Sequence, residues 1–410
     1  MRFVKNHHFL FACSFFFCLG GSVLSFTLVY HLTDLLSFSP KQIGAYLASG
    51  SLFYFIGTNL YLRFGSKLDP ARVFPVAAII AFFTSIPLGF LRLPALLYFS
   101  YWLLQLATSF FWPPILAYLT DTLAGKELNK RISQYSRSWM ASIIIGPPVA
   151  GALYRWNNMA NFILIYLSYF LAVLCLLVLR RFAKRSYGGE GKSGNPVQEA
   201  EQHNSGDKEY KPVIAALEKK LDLFRYRGWI GIFCTGICMN ILGSIVPLHI
   251  RDGLGFTESS AGMLLFFRCT ASFIGFAILA RFTAWHFKNW WFIFTQAGLT
   301  LCTVLLLFAG SRLYFFFFVA VLFGLVNSGC HVTSVFYSGA TGKNTKKNVT
   351  CHEIFMSIGG ALGSAGGGFF YHHFRFIGLS LAQMFVLLTG LAAFIILGRR
   401  ERSLFKGGES

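Results

Sequence analysis

Only 13% of the 410 residues are charged, so a charge placed inside an apolar run is the first place to look for chemistry. Arg268 is one, interrupting a run centred near residue 270. An arginine at mid-bilayer costs about 2.5 to 3.5 kcal/mol on insertion scales and needs an internal partner or water. Two readings stand: a side chain snorkelling outward from about a third of the way in, and a cavity residue that binds an anionic or carboxylate group of a solute. Glu353 and His352 open the run centred near residue 360, and His331 lies in the inner half of the run centred near 325. A partly buried carboxylate and two imidazoles can exchange protons near neutral pH, so these three are candidates for proton coupling. Glu353 near a helix start would also favour the helix dipole without any such role.

The elements that must position these residues are long. Apolar residues make up 55% of the chain and aromatics 18%, too much to hide in one soluble core. The apolar runs extend over roughly 20 residues, the length that spans a bilayer. Bounded by charge, Gly or Pro, twelve such runs centre near residues 20, 52, 82, 108, 146, 170, 239, 270, 300, 325, 360 and 387, which predicts an all-α integral membrane protein. The run from Phe9 to Tyr30 follows Arg2 and Lys5 as a secretory signal would. It exceeds the roughly 7 to 15 residues of a signal core, and its end recurs later in the chain, so it is read as a retained span.

One long polar segment separates the sixth run from the seventh. Tyr187–Tyr210 is rich in Gly, Ser, Glu, Gln and Lys and is expected to be disordered. Val213, Ile214, Leu217, Leu221 and Phe224 recur at helical spacing among Lys219, Lys220, Arg225 and Arg227, which predicts an amphipathic helix on an anionic membrane surface. Three parts result: a six-helix half over residues 1–180, a linker over 181–227, and a second half over 228–410.

A net charge of +20 would suit nucleic acid only if gathered on a solvated domain beside aromatics, and the sequence has no such domain. The basic residues are instead sorted by side. Of 36 Lys and Arg, twenty-nine fall in connections on the side of the termini, while Lys41, Arg92, Arg155, Arg251, Arg312 and Arg375 stand one per connection opposite, and Arg268 is the remainder. That asymmetry predicts cytoplasmic termini and a cytoplasmic central segment. The nine cysteines sit in or beside apolar runs without zinc-ligand spacing, so no metal and no cofactor is expected.

An internal repeat is written into the spacing. An offset of 218 carries His31, Asp34, Leu36, Phe38 and Gly44 onto His249, Asp252, Leu254, Phe256 and Gly262, and Gly57, Arg63 and Phe64 onto Gly275, Arg281 and Phe282. An offset of 217 carries Gly146, Gly151 and Tyr154 onto Gly363, Gly368 and Tyr371. An even number of spans per copy means a parallel duplication, whose binding site is expected between the halves near the midplane. The pairs His31/Asp34 and His249/Asp252 are expected to shape the outer rim. Glycines in spans five and eleven allow close helix approach, as fixed packing or as a sliding gate. Trp112-Pro113-Pro114 should kink span four by freeing backbone carbonyls.

Six plus six spans around a long middle loop resemble the major facilitator superfamily over essentially the whole chain. Its pattern between spans two and three, a Gly and then Asp-Arg-x-Gly-Arg-Lys, is similar to Leu62-Arg63-Phe64-Gly65-Ser66-Lys67. Leu62 stands where the family usually has Asp, so the charge relay attached to that acid is not carried over. Gly146-Pro147-Pro148-Val149-Ala150-Gly151 looks like the Gly-Pro motif of export members. The resemblance implies that Arg63, Gly65, Lys67, Asp121 and Arg137 act in conformational change at the cytoplasmic side, with Gly146, Pro147, Gly151 and Gly363 inside the spans. It implies a cavity lined by Gln105, Trp112, Asn240, Arg268, Asn327 and His331, joined by Ser22, Ser25, Ser244 and Ser328.

The expected activity is secondary transport of a small organic solute by alternating access, with protons as the candidate coupling ion. No G-x-x-x-x-G-K-[ST] occurs, so ATP-driven pumping is not expected. A receptor built on the same fold would carry its output in the central segment, which is short and low in complexity. A lipid-modifying enzyme would want clustered His, Asp or Glu at one surface, and only His352 with Glu353 comes close. The expected setting is a monomer in a bacterial inner membrane, with solute, lipid and protons as partners and no nucleic acid.

Overall fold

A computed structural model of the chain describes residues 7–65, 68–115, 125–187, 211–281, 284–339 and 345–405, and among them every regular element is helical. The rods are α1 (His7–Leu36), α2 (Pro40–Phe64), α3 (Pro70–Ser85, prolonged by the turn Ile86–Gly89), α4 (Pro94–Ser109, resuming at 112–115), α5 (Gly125–Trp156) and α6 (Asn158–Tyr187). They continue as α7 (Lys211–Asn240, prolonged to Gly253), α8 (Glu258–Leu279), α9 (Asn289–Leu307) and α10 (Leu313–Gly339). The last stretch, Thr345–Phe405, breaks at Arg375 (φ 55°, ψ −162°) into α11 (345–374) and α12 (376–405). Each apolar run drawn from the sequence falls on one rod, and eight helical stretches among the described residues are long and apolar enough to cross a bilayer. Lipid also accounts for the outer surface. Val76, Ile80 and Phe83 form an exposed stripe on α3, a pattern that water would penalise and hydrocarbon does not.

Local chemistry sets the ends and bends. Pro113 and Pro114 lack the N–H of a helix interior, and α4 accordingly stops at Ser109, with Phe110 at ψ 1° before the helix resumes at Trp112. Pro247 sits between two wide π turns of α7, Ile241–Ile245 and His249–Gly253. The helix expected over Val213–Arg227 is not a separate element. It belongs to the single rod Lys211–Asn240, because Pro212 suits a first turn and no breaker follows it. Likewise α6 runs past residue 180 to Tyr187. The segment 188–210 lies outside the described residues.

The repeat is legible at atomic detail. Ser39 caps α2 by accepting from the Gln42 N–H, and Thr257, 218 residues on, caps α8 by accepting from the Ser260 N–H. The turn before each cap closes in the same way, with Phe38 N–H on Leu32 O at 3.2 Å and Phe256 N–H on Ile250 O at 3.0 Å. Within the halves, Gly57 lies against Ser109 Oγ as Gly275 lies against Ser328 Oγ. Between the halves, α2 meets α11 and α5 meets α8. Gly44 rests on the Ser364 carbonyl and Gly262 on the Pro147 carbonyl, while Gly368 rests on the Pro40 carbonyl and Gly151 on the Glu258 carbonyl. Under the offsets 218 and 217 each pair of contacts becomes the other, so the two copies face each other across a pseudo-twofold seam.

Candidate functional site

The seam and the cavity behind it divide the molecule by depth. The face carrying the turns 37–39 and 254–257, here the far face, is where the bonds between halves gather. Tyr30 OH donates to Pro247 O at 3.2 Å, Ser259 Oγ donates to Gly151 O at 3.2 Å, and Lys41 lies 5.7 Å from the Phe369 ring centre. Arg251, at the end of α7, is the hub. Its Nη1 reaches Asp34 Oδ1 at 3.0 Å across the seam and Glu258 Oε1 at 3.6 Å, its Nε reaches Asp252 Oδ1 at 2.6 Å, and its guanidinium lies 4.6 Å from the Tyr30 ring centre. Tyr154 OH donates to Asp34 Oδ2 at 2.7 Å. The rim residues Asp34 and Asp252 are thus held by one cation.

Deeper in, two cavities meet at Gln105. One, of about 260 Å³, is bordered by α1, α4, α5 and α6 through residues including Cys18, Ser22, Ser25, Tyr101 and Trp112. The other, of about 210 Å³, lies between the halves, with Ser51, Tyr54 and Gln105 on one side and Met239, Asn240, Met356, Ser357 and Gly360 on the other. Here α7 and α11 run closely side by side. Gly236 rests on Met356 O, Gly359 on Phe233 O and Gly363 on Ile237 O, each with no room for a Cβ.

The structure brings together some of the residues singled out in the sequence and separates others. Gln105, Trp112 and Asn240 border the cavities. Asn240 is oriented there by donating to Gly236 O at 3.1 Å and accepting from Ser364 Oγ at 3.3 Å. Asn327 does not border them. It is buried between α8 and α10, where its Nδ2 donates to Ser272 Oγ at 3.2 Å. His331 and His352 pack edge to ring, 4.9 Å between centres, with His352 Nδ1 2.9 Å from Ser334 Oγ, so this pair belongs to the contact of α10 with α11. Of the gating set, Pro147 and Gly151 lie on the seam, while Gly146 packs on Ser22 and Gly363 on α7, each within its own half. Arg63 and Gly65 end α2 at the face of the termini and Arg137 is exposed on α5. Lys67 and Asp121 lie outside the described residues.

Arg268 sits at the middle of α8 rather than a third of the way in. It shares a stripe with Ala261, Leu264, Leu265, Ser272 and Gly275, all buried, yet is itself only half-buried. Its Nη1 donates to Met239 O at 3.4 Å, placing the guanidinium beside a cavity-lining residue, and no carboxylate is within ion-pair distance among the described residues. In the first half the equivalent position is Gly50, filled by the Tyr101 ring, whose Cε1 would lie 2.2 Å from a Cβ there.

Glu353 is half-buried on the face of α11 that also presents Met356, Ser357 and Gly360 to the cavity. It is near enough to interact electrostatically with Tyr54 of α2 and Tyr135 of α5. Ser51, Tyr54, Met356 and Ser357 were not singled out in the sequence; the spacing of Glu353 to Met356, Ser357 and Gly360 at i+3, i+4 and i+7 is the signal that could have found the α11 side.

Comparison with known proteins agrees with this geometry. Residues 10–341 match the profile of the Major Facilitator Superfamily. No curated protein matches the sequence. Among solved structures, the nucleoside transporter NupG superposes with a TM-score of 0.66 at 13% identity, over 97% of this chain and 99% of that one. A bacterial homolog of the human lysosomal transporter Spinster, in an inward-facing and occupied conformation, superposes with a TM-score of 0.69 at 13% identity, over 96% and 97%. At such identities the likeness is one of fold. With a family match over most of its length, and a cavity framed by two repeated halves, the chain belongs to the Major Facilitator Superfamily and is a multi-pass membrane transporter, not an enzyme.

Proposed function

We propose that this chain is a secondary transporter that carries a small organic solute by alternating access through the cavity at Gln105, coupled to protons through Glu353. It works as a monomer in a bacterial inner membrane with both termini in the cytoplasm, as the distribution of Lys and Arg favours. One observation carries the reading: both halves contribute to a cavity at mid-depth, while backbone-to-backbone glycine contacts and the Arg251 cluster shut its far side. A seam built on glycine-to-backbone contacts and a few polar side-chain bonds can separate and re-form as rigid halves rock. Glu353 carries the coupling because it is a carboxylate on the cavity face, free of any ion pair among the described residues. His331 and His352 lie behind it and pass protons toward the face of the termini. Arg63, Gly65, Lys67, Asp121 and Arg137 control the opposite gate.

The test locks the seam. Cysteines at Lys41 and Phe369, bridged by a bifunctional maleimide, should abolish counterflow of labelled solute in proteoliposomes. Six of the nine native cysteines are buried, and the three that are partly exposed, Cys18, Cys175 and Cys351, are replaced by serine in the background used. Counterflow that continues at its full rate through the bridged protein would falsify alternating access at this seam.

A further inference from the structure

We propose that the solute is a small organic monoanion whose carboxylate is held by Arg268, and that each anion moves together with one proton carried on Glu353. The proposal rests on the transporter reading above and adds the substrate class and the charge stoichiometry.

Two charges of opposite sign, neither ion-paired among the described residues, stand beside the lining of the cavity between the halves: Arg268 against Met239, and Glu353 on the α11 face that carries Met356, Ser357 and Gly360. Arg268 spends its contacts on a backbone carbonyl at 3.4 Å, long for such a bond, and on the weakly accepting Cys269 sulfur at 3.5 Å, and neither partner offsets its charge. A guanidinium has five N–H donors, so this one retains a fork suited to a carboxylate. It stands at mid-helix, against the cavity-lining Met239. The first half has no counterpart, because Gly50 and Tyr101 fill the equivalent place. Arg268 is thus not scaffold of the repeat but an addition to one side of the cavity.

Glu353 is too far away to serve as its partner or to touch the same small solute. Gly360 packs against Asn240, next to Met239, and Glu353 precedes Gly360 by seven residues, about 10 Å along the helix at roughly 1.5 Å per residue. The groups facing Glu353 are neutral phenols, Tyr54 from α2 and Tyr135 from α5. His352 is its neighbour on α11 and His331 approaches from α10. Arg225 and Lys347 act on Cys351, further toward the face of the termini, and Arg225 is paired with Asp222 at 2.7 Å.

Coupling follows from charge balance in a medium where net charge is costly. Without solute, one positive and one negative side chain flank the cavity and their charges sum to zero. An anion bound at Arg268 leaves one net negative charge, and a proton on Glu353 restores neutrality. The loaded carrier can then close and turn over, and the cycle moves one anion and one proton, with no net charge crossing the membrane. A zwitterion held at Arg268 by its carboxylate would bring no net charge and need no proton, and a neutral solute would leave Arg268 unused.

The test uses the purified full-length protein in proteoliposomes with lactate and benzoate, their neutral analogues lactamide and benzamide, and the zwitterion alanine. Thermal stabilisation reports binding, an entrapped pH dye reports proton entry, and a potassium–valinomycin clamp sets the potential. Lactate or benzoate, but not the amides, should stabilise the wild type, more strongly at pH 5.5 than at pH 8 on the scale of a titrating buried carboxylate. Their uptake should acidify the lumen and be unmoved by the potential. Arg268→Gln should weaken carboxylate binding roughly 10- to 100-fold, with Arg268→Lys intermediate because it keeps the charge and loses the fork. Glu353→Gln should still bind and exchange the anion while its pH dependence and lumen acidification vanish. Carboxylates that bind Arg268→Gln as tightly as wild type, or neutral or zwitterionic compounds moving where no carboxylate does, overturn the anion assignment and leave transport standing. Transport that moves charge under the clamp overturns the stoichiometry. No movement of any compound, together with indifference to the Lys41–Phe369 bridge, removes the transporter reading itself.

Discussion

Ser37 and Gly255 occupy the same place in the two halves, and both take a left-handed backbone, with φ of 52° and 74°. Each follows the end of the first helix of its repeat and precedes a Phe whose N–H turns back onto the helix. Glycine accepts that conformation freely, whereas an L side chain pays roughly 1 kcal/mol for it. Ser37→Gly should therefore raise the thermal midpoint, with a gain of about 0.5 kcal/mol after the entropy that glycine adds to the unfolded chain, and Gly255→Ser should lower it. Equal and opposite shifts from the two substitutions are not required, but a Ser37→Gly midpoint below wild type would contradict the account.

The far seam makes a sharper prediction. A Cβ on Gly44 would lie 2.3 Å from Ser364 O and 2.9 Å from the Gly368 Cα, both backbone atoms that cannot swing aside. Gly44→Ala must push α2 and α11 apart, a cost of about 1 to 3 kcal/mol against the closed seam, or roughly a 5- to 150-fold shift toward the open form. Gly262→Ala, its repeat partner on Pro147 O, should do the same. Gly366→Ala on the same helix as Gly368 has open space and serves as the control. The yield of the maleimide bridge between cysteines at positions 41 and 369, which depends on the two halves being close, reads the result, and equal yields in Gly44→Ala and Gly366→Ala would rule out a tight seam.

Much of this was readable in the chain, and what was not has a common cause. Span positions follow from apolar length, and the repeat from identities such as His31 with His249, because turns and caps tolerate few residue types. Which face of an apolar helix looks inward is not encoded in the same way, since lipid and protein interior both accept Leu and Phe. Asn327, polar within an apolar run, therefore reads as a cavity residue but bonds Ser272 between α8 and α10, while Tyr54 and Ser357, unremarkable in composition, border the cavity. Arg251 looked like one more loop cation, and only the approach of α1 to α7 shows it holding Asp34.

Below the cavity, the second half is anchored by an aromatic cluster. Trp285 is 2% exposed, with ring centres 5.3 Å from Phe336 and 6.0 Å from Trp291. Trp285→Ala should cost about 3 to 5 kcal/mol and markedly depress the midpoint of unfolding in detergent. The indole N–H has no partner among the described residues, so Trp285→Phe gives up volume and no hydrogen bond there, and should cost below about 1.5 kcal/mol. Equal losses for the two variants would show that the N–H matters after all.

The Arg251 cluster predicts an asymmetry among its acids. Asp34 belongs to α1 and the first half, whereas Asp252 and Glu258 belong to the same half as Arg251, so only the Asp34 contact spans the seam. The Asp34 side chain is 44% exposed, which holds the value of that bridge to about 0.5 to 1 kcal/mol. Asp34→Asn should therefore shift the seam a few-fold toward the open form, read as a lower yield of the bridge between cysteines at positions 41 and 369, and Asp252→Asn should leave the yield near wild type. Arg251→Gln should open the seam further than either, because it leaves three carboxylates facing one another without the cation between them. A double-mutant cycle of Asp34→Asn with Arg251→Gln should return a coupling near the single bridge value, shrinking in 1 M salt where the Debye length falls to about 3 Å. If Asp252→Asn opens the seam as much as Asp34→Asn does, Arg251 is merely braced within its own half, and the closure of the far face must rest on the glycine contacts alone.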